Sequence, residues 1–178
     1  LYTADITATL KTIFFGVLWG VGGLTFGLSM RYLGVALGQS IALGTCAGLG
    51  TILTPLFTGK TGDLTTPVIV EVVVTLLGTA IIGLAGMMKS NESDEETKKA
   101  AIKDFNFGKG ILVALLAGFM SACFNIGLGM GESLTWDATP AIFKTLPATF
   151  MVTLGGFLTN AVYCFYQNSK NKTWNDYK

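Results

Sequence analysis

Five stretches of this chain are almost continuously apolar, and each is about as long as a bilayer is thick; nothing else in the sequence limits its fold so strongly. They run Thr12–Met30, Val35–Phe57, Val68–Met88, Gly110–Gly131 and Thr145–Tyr166, and a helix needs about 20 residues to cross a hydrocarbon core. Buried helices of a soluble bundle would carry a polar stripe on the outward side, and none of the five does. Barrel strands would alternate over about ten residues, whereas Ile111 to Gly118 is unbroken. Charged residues make up 13% of the chain and the mean hydropathy is +0.57, against about 25% charged for a globular average. The expected fold is an all-α integral membrane protein of five transmembrane helices, with the lipid bilayer as its solvent.

Several function classes fall away on composition. The chain has no His, which removes the commonest metal ligand and the usual general acid or base near neutral pH. Cys46, Cys123 and Cys164 each lie inside an apolar span without motif spacing, so they read as small packing residues. Neither a phosphate-binding Gly-rich loop nor a Gly-x-Ser-x-Gly elbow is present. No metal, cofactor or enzymatic role is expected. A net charge of +1 supplies no field for a phosphate backbone, so no nucleic-acid partner is expected either.

Lys and Arg fall unevenly between the two sides that five spans define. Arg31, Lys89, Lys98, Lys99, Lys103, Lys109, Lys170, Lys172 and Lys178 share one side, and Lys11, Lys60 and Lys144 the other. Cytoplasmic loops are enriched in such residues, so the first side is expected to be cytoplasmic, with the N-terminal end outside. The chain divides into residues 1–88 with three helices, a cytoplasmic linker at 89–109, and residues 110–178 with two helices. The linker holds Glu92, Asp94, Glu95 and Glu96; Glu95 and Lys99 are spaced for a helical pair, but a solvated linker is the favoured reading. Leu1 opens the chain where a Met would be expected, so the sequence reads as part of a longer protein.

Small residues four apart recur at Gly16/Gly20, Gly23/Gly27, Gly34/Gly38, Gly44/Gly48 and Gly127/Gly131. Such pairs let helix backbones approach in a membrane, and they fit a tight static bundle as well as one whose helices slide. Pro55 and Pro147 fall near span ends, where each can end or kink a helix. Polar side chains at membrane depth face the protein interior or a cavity. Gln39 and Ser40 lie in the second span, Ser121 and Asn125 in the fourth, and Asn160 and Tyr163 in the fifth. Together with the ring of Trp19 these amides and hydroxyls are candidates to bind a polyol; the alternative is that they bond across helices as packing contacts. Glu71 is the one carboxylate within a span. It is a weak candidate for proton coupling, and the favoured reading is a Glu stabilised by the helix dipole near a helix N-terminus.

The stretch Trp19-Gly20-Val21-Gly22, continuing through Phe26-Gly27-Leu28-Ser29-Met30-Arg31-Tyr32-Leu33-Gly34 to Gly38 and Ile41-Ala42-Leu43-Gly44, resembles the L-rhamnose/proton symporters of the drug/metabolite transporter superfamily. Met30-Arg31-Tyr32-Leu33-Gly34 is the most specific element. Gly50-Thr51, Thr54-Pro55, Phe105-Asn106, Lys109-Gly110, Ser121-Ala122, Leu146-Pro147, Gly155-Gly156 and Asn160 follow in the family's order. The resemblance implies a roughly ten-helix transporter of two inverted halves, of which these spans would be the third to the seventh. It also implies sugar uptake by proton symport through alternating access, L-rhamnose first among substrates, in a bacterial inner membrane. Trp19, Gln39, Ser121, Asn125 and Asn160 are then the expected sugar contacts. Another sugar or small-metabolite carrier of the superfamily, or a non-transporting membrane scaffold or receptor, is the alternative.

Overall fold

A computed structural model describes residues 2–3, 5–92, 102, 104–136 and 140–177. Five helices long and apolar enough to cross a membrane account for most of them: α1 (Ile6–Leu33), α2 (Val35–Thr58), α3 (Thr66–Glu92), α4 (Phe107–Met130) and α5 (Leu146–Asn171). At a rise of roughly 1.5 Å per residue even the 24-residue α2 and α4 reach about 36 Å, more than the hydrocarbon thickness of about 30 Å. α1 and α3 extend past both ends of the apolar runs that predict them, whereas α4 stops at Met130, one residue short of the expected Gly131, and α5 starts at Leu146, one residue after the expected Thr145, because Gly131 and Thr145 serve as caps. The Asp5 side chain accepts from the Thr7 N–H at 2.9 Å to start α1, and Asn106 accepts from the Lys109 N–H at 3.0 Å to start α4. Pro147 is buried at the start of α5, where its missing N–H interrupts no helical bond.

A single residue separates α1 from α2. Gly34 holds φ at +83°, and its N–H bonds to the Met30 carbonyl at 2.8 Å. The hairpin motif is thereby accounted for residue by residue. Arg31 pairs with Asp104 at 2.5 Å, the Tyr32 ring lies 4.7 Å beneath the Lys109 ammonium, and the Tyr32 carbonyl accepts from the Asn106 N–H. Leu33 is buried, and the Met30 backbone sits against Gly38. These contacts dock the α1–α2 turn on the start of α4, above an apolar cluster of Leu33, Ile41, Ala42, Ala114 and Ala117. At the opposite end Lys60 pairs with Glu132, and the bonded Glu132 carboxylate raises the Lys60 pKa above its ordinary value. A short antiparallel bridge there joins β1 (Tyr2–Thr3) to β2 (Thr135–Trp136).

Arg31, Lys89, Lys109, Lys170 and Lys172 therefore share one end of the bundle, and Lys11, Lys60 and Lys144 the other. The remaining residues of that expectation, Lys98, Lys99, Lys103 and Lys178, lie outside the described residues, as do Asp94, Glu95 and Glu96 of the linker.

α4 packs against both α1 and α2, α5 against α1, and α3 against α2. Glycine makes these approaches possible. A Cβ on Gly16 would fall 2.1 Å from the Val152 carbonyl oxygen, and one on Gly155 2.3 Å from that of Ile13, so α1 and α5 touch backbone to backbone. Gly44 and Gly48 face Thr79 and Leu76 of α3, and Gly127 and Gly131 face Val152 and Ala148 of α5. Gly23 and Gly27 depart from this pattern, since a Cβ on either would meet nothing within 4 Å. α3 is the outermost helix, with Val72 alone buried among its described side chains.

Two predictions follow from these backbone contacts. Gly155→Ala should destabilise the protein by about 1–3 kcal/mol or more, whereas Gly23→Ala should be neutral or stabilising by up to about 1 kcal/mol; thermal unfolding in detergent measures both. Gly34→Ala forces a side chain into a conformation costing about 1–3 kcal/mol, and should lower the melting temperature without altering helix content by circular dichroism.

Candidate functional site

Depth along the helices sorts the polar candidates. At a rise of roughly 1.5 Å per residue, Trp19, Ser121 and Asn160 each lie within about 4 Å of the midpoint of α1, α4 and α5 respectively. The Trp19 ring meets Phe124 of α4 at a centroid distance of 4.9 Å and a tilt of 55°, and its six-membered ring lies over Gly156 of α5. Ser121 faces Gly22, whose Cβ would fall 3.0 Å from the serine Oγ. Asn160 donates through Nδ2 to the Gly156 carbonyl at 2.8 Å, within its own helix. The structure thus brings Trp19, Ser121 and Asn160 to one level, where α1 meets α4 and α5.

Asn125 lies about one turn beyond Ser121, toward the Lys60 end. Its amide sits over the backbone of Gly50 of α2, whose Cβ would come within 2.6 Å of Nδ2, and the residue is exposed. Gln39 is also exposed, but it lies 11 residues before Gly50 on α2, about 16 Å along the axis. The structure does not bring Gln39 to Asn125. Glu71 is exposed near the start of α3, apart from the other candidates. Tyr163 accepts at its hydroxyl from Gln167, and Ser40 bonds back to the Ala36 carbonyl. The three cysteines are unpaired, and no cluster fit to hold a metal occurs among the described residues.

Hydroxyls inside the spans mostly bond to a carbonyl of their own helix. Thr12, Thr51, Thr58, Thr79 and Thr153 each reach back four residues in this way, which satisfies them without water. Two threonines behave differently. Thr159 keeps a longer bond to the Gly155 carbonyl of its own helix at 3.3 Å and also donates across to the Val17 carbonyl of α1 at 3.0 Å. The Thr54 hydroxyl is buried and has no hydrogen-bond partner among the described residues. Reading the polar residues of the spans by their amides passes over both. Thr54 had a signal in its neighbour Pro55, whereas nothing marks Thr159 out from the other threonines.

Surface cavities among the described residues include three of note. One of about 530 Å³ at the Lys60 end is lined by Lys11, Phe57, Thr58, Lys60, Gly129 and Glu132. Another, of about 390 Å³, lies at the opposite end beside Arg31, Tyr32, Asp104 and Lys109. The third, about 480 Å³, is an apolar groove between α1 and α5 lined by Val17, Leu24, Thr159, Val162, Tyr163 and Tyr166. None of these three is lined by Trp19, Ser121, Asn125 or Asn160.

Known proteins place this bundle. An L-rhamnose-proton symporter of Cronobacter sakazakii is 33% identical over 181 residues, which cover 96% of this chain and 51% of the relative. Proteins of the same name from Yersinia pestis and Yersinia pseudotuberculosis are 33% identical over 174 residues, 92% of this chain and 49% of theirs. The chain thus spans about half the length of the curated relatives it matches. No solved structure matches it. The sequence model of the L-rhamnose-proton symport protein covers residues 2–175, nearly the whole chain, and the five-helix membrane protein described above belongs to that family.

Proposed function

We propose that this chain is part of a secondary carrier that takes up L-rhamnose together with protons by alternating access. The match to the symport family along residues 2–175 carries the reading, and five spanning helices with polar groups at mid-depth support it. The family is one of transporters and not of enzymes. The membrane is a bacterial inner membrane, and the end bearing Arg31, Lys89, Lys109, Lys170 and Lys172 faces the cytoplasm, in keeping with the distribution of cationic loops.

Residues 1–88 form the closing part of one half, 89–109 the link, and 110–178 the opening part of the other. On this division the contacts of α4 with α1 and α2 are contacts between halves. Carriers with inverted repeats bind substrate near the midplane between such repeats. Ser121 against Gly22 and Asn125 against Gly50 stand on that seam, so they, with Trp19 and Asn160, form part of the sugar-binding wall. Gln39 enters the same pathway nearer the cytoplasmic end. Glu71 carries the coupling proton, because it is the one carboxylate within an apolar span.

The deciding experiment places the complete reading frame in cells lacking their own carrier and records external pH when L-rhamnose is added without an energy source. Alkalinisation is expected. A response to a different sugar would reassign the substrate, and no response from protein shown to reach the membrane would favour a scaffold. Asn125→Ala and Asn160→Ala should each raise the KM for uptake by about 2- to 10-fold, the effect of losing one hydrogen bond; unchanged uptake in both removes the site assignment. Glu71→Gln should abolish alkalinisation while leaving counterflow of labelled sugar intact, and proton movement at the wild-type rate would exclude Glu71.

A further inference from the structure

Pro55 lies inside α2, three residues before the helix ends at Thr58. Proline has no N–H, so the Thr51 carbonyl lacks the donor that a helix supplies four residues on. The Thr54 hydroxyl, next to it on the helix, is buried without a hydrogen-bond partner among the described residues. Its neighbours behave otherwise: Thr51 Oγ1 donates to the Ala47 carbonyl at 2.9 Å, and Thr58 Oγ1 to the Thr54 carbonyl at 2.9 Å. An acceptor and a hydroxyl with unspent bonding capacity are therefore adjacent on one turn. Leaving such a group unsatisfied when buried costs about 1–3 kcal/mol, so a purely structural role is better served by a valine.

Asn125 completes the cluster. Its amide sits over Gly50, and Gly50 and Thr54 are four residues apart on one face of α2, about 6 Å along the axis. One sugar ring bridges that separation. The route to the cluster is also present. Thr58 and Gly129 line the cavity of about 530 Å³ at the Lys60 end, together with the exposed ring of Phe57. The Thr58 and Thr54 methyls both press on Gly129, 2.8 and 3.0 Å from where its Cβ would be. Thr54 is thus one turn below the floor of an open vestibule, and the contact with Gly129 closes it off.

We propose that Thr54, the Thr51 carbonyl and the Asn125 amide form a subsite for a hydroxyl group of a neutral polyol, entered from the Lys60-end vestibule when α2 and α4 part at Gly129. A sugar hydroxyl matches this set because it donates and accepts at once: its O–H donates to the Thr51 carbonyl while its oxygen accepts from Thr54 or Asn125. The subsite rests on the carrier reading above and adds to it a specificity determinant on α2.

The test uses the complete carrier, with initial uptake rates for the parent sugar and for a panel of its monodeoxy analogues. Thr54→Val should raise the KM for the parent sugar about 3- to 10-fold, the loss of one hydrogen bond, and leave unchanged the KM of the one analogue that lacks the hydroxyl bound there. Thr54→Ser should keep the wild-type KM. The valine variant forfeits no internal bond, so its melting temperature should equal or exceed that of the wild type. Pro55→Ala is the second variant. It returns an N–H to the Thr51 carbonyl, and should stabilise the protein while raising the KM. A KM unchanged in both variants, or raised equally for every analogue, overturns the subsite and leaves the carrier reading intact. Absence of sugar uptake by the wild type overturns the carrier reading and the subsite with it.

Discussion

The close approach of helix backbones through glycine is the contact on which the rest of the molecule depends. Lipid is as apolar as leucine, so membrane helices gain little from burying side chains against one another and associate through packing and hydrogen bonds. α1 shows the consequence. Gly16 against Val152 and Gly155 against Ile13 bring α5 onto one side of it, and Gly22 against Ser121 brings α4 onto another. One polar contact and one ring contact rely on that proximity. Thr159 reaches the Val17 carbonyl only because the α1 and α5 backbones touch, and Trp19 lies on Gly156 because glycine leaves room for its ring.

Satisfaction of polar groups is the second constraint, and it separates structural residues from candidates for function. Most span threonines close their hydroxyls onto their own helix and need nothing further. Asn160 does the same through its Nδ2, which donates to the Gly156 carbonyl. Thr54 is the exception among the described residues, and it coincides with the one proline inside α2. Two departures from an ideal helix on adjacent residues are mutually explanatory when a ligand group supplies what both lack.

Much of the architecture was legible in the sequence because the bilayer imposes it. Each apolar run coincides with one helix to within a few residues at either end, and the described cations segregate to the ends that the alternation of spans requires. The glycine pairs were legible as packing devices but not as to partner, because spacing fixes a face and says nothing of what lies against it. Gly44/Gly48 meet α3, Gly16/Gly20 meet α5, and Gly23/Gly27 meet nothing within 4 Å. Depth was legible at Trp19, Ser121 and Asn160, whose positions within their spans set a common level. It was less so at Gln39, because axial distance from Asn125 depends on how α2 and α4 are offset. Thr54 was marked in the sequence only by its neighbour Pro55, because an unsatisfied hydroxyl is a property of the packed state.

The distribution of contacts also says where such a bundle can move. Two ion pairs at its ends, Arg31–Asp104 and Lys60–Glu132, are solvent-exposed, and exposed pairs are weak and screened by salt. Between those ends, α1 and α5 are held by carbonyl-to-glycine contacts that leave no room for sliding without collision. The seam of α4 with α2 is equally tight at mid-depth, where a Cβ on Gly118 would fall 2.7 Å from the Ala42 carbonyl oxygen, but it changes along its length. Toward the Lys60 end it is closed by two threonine methyls on Gly129 and an amide on Gly50, contacts that part without breaking a hydrogen bond. A seam held backbone to backbone at mid-depth and only by side chains toward the Lys60 end is the combination that lets one mouth open while the remainder of the bundle keeps its shape, and the unsatisfied Thr54 hydroxyl stands where that opening would first admit a polar ligand.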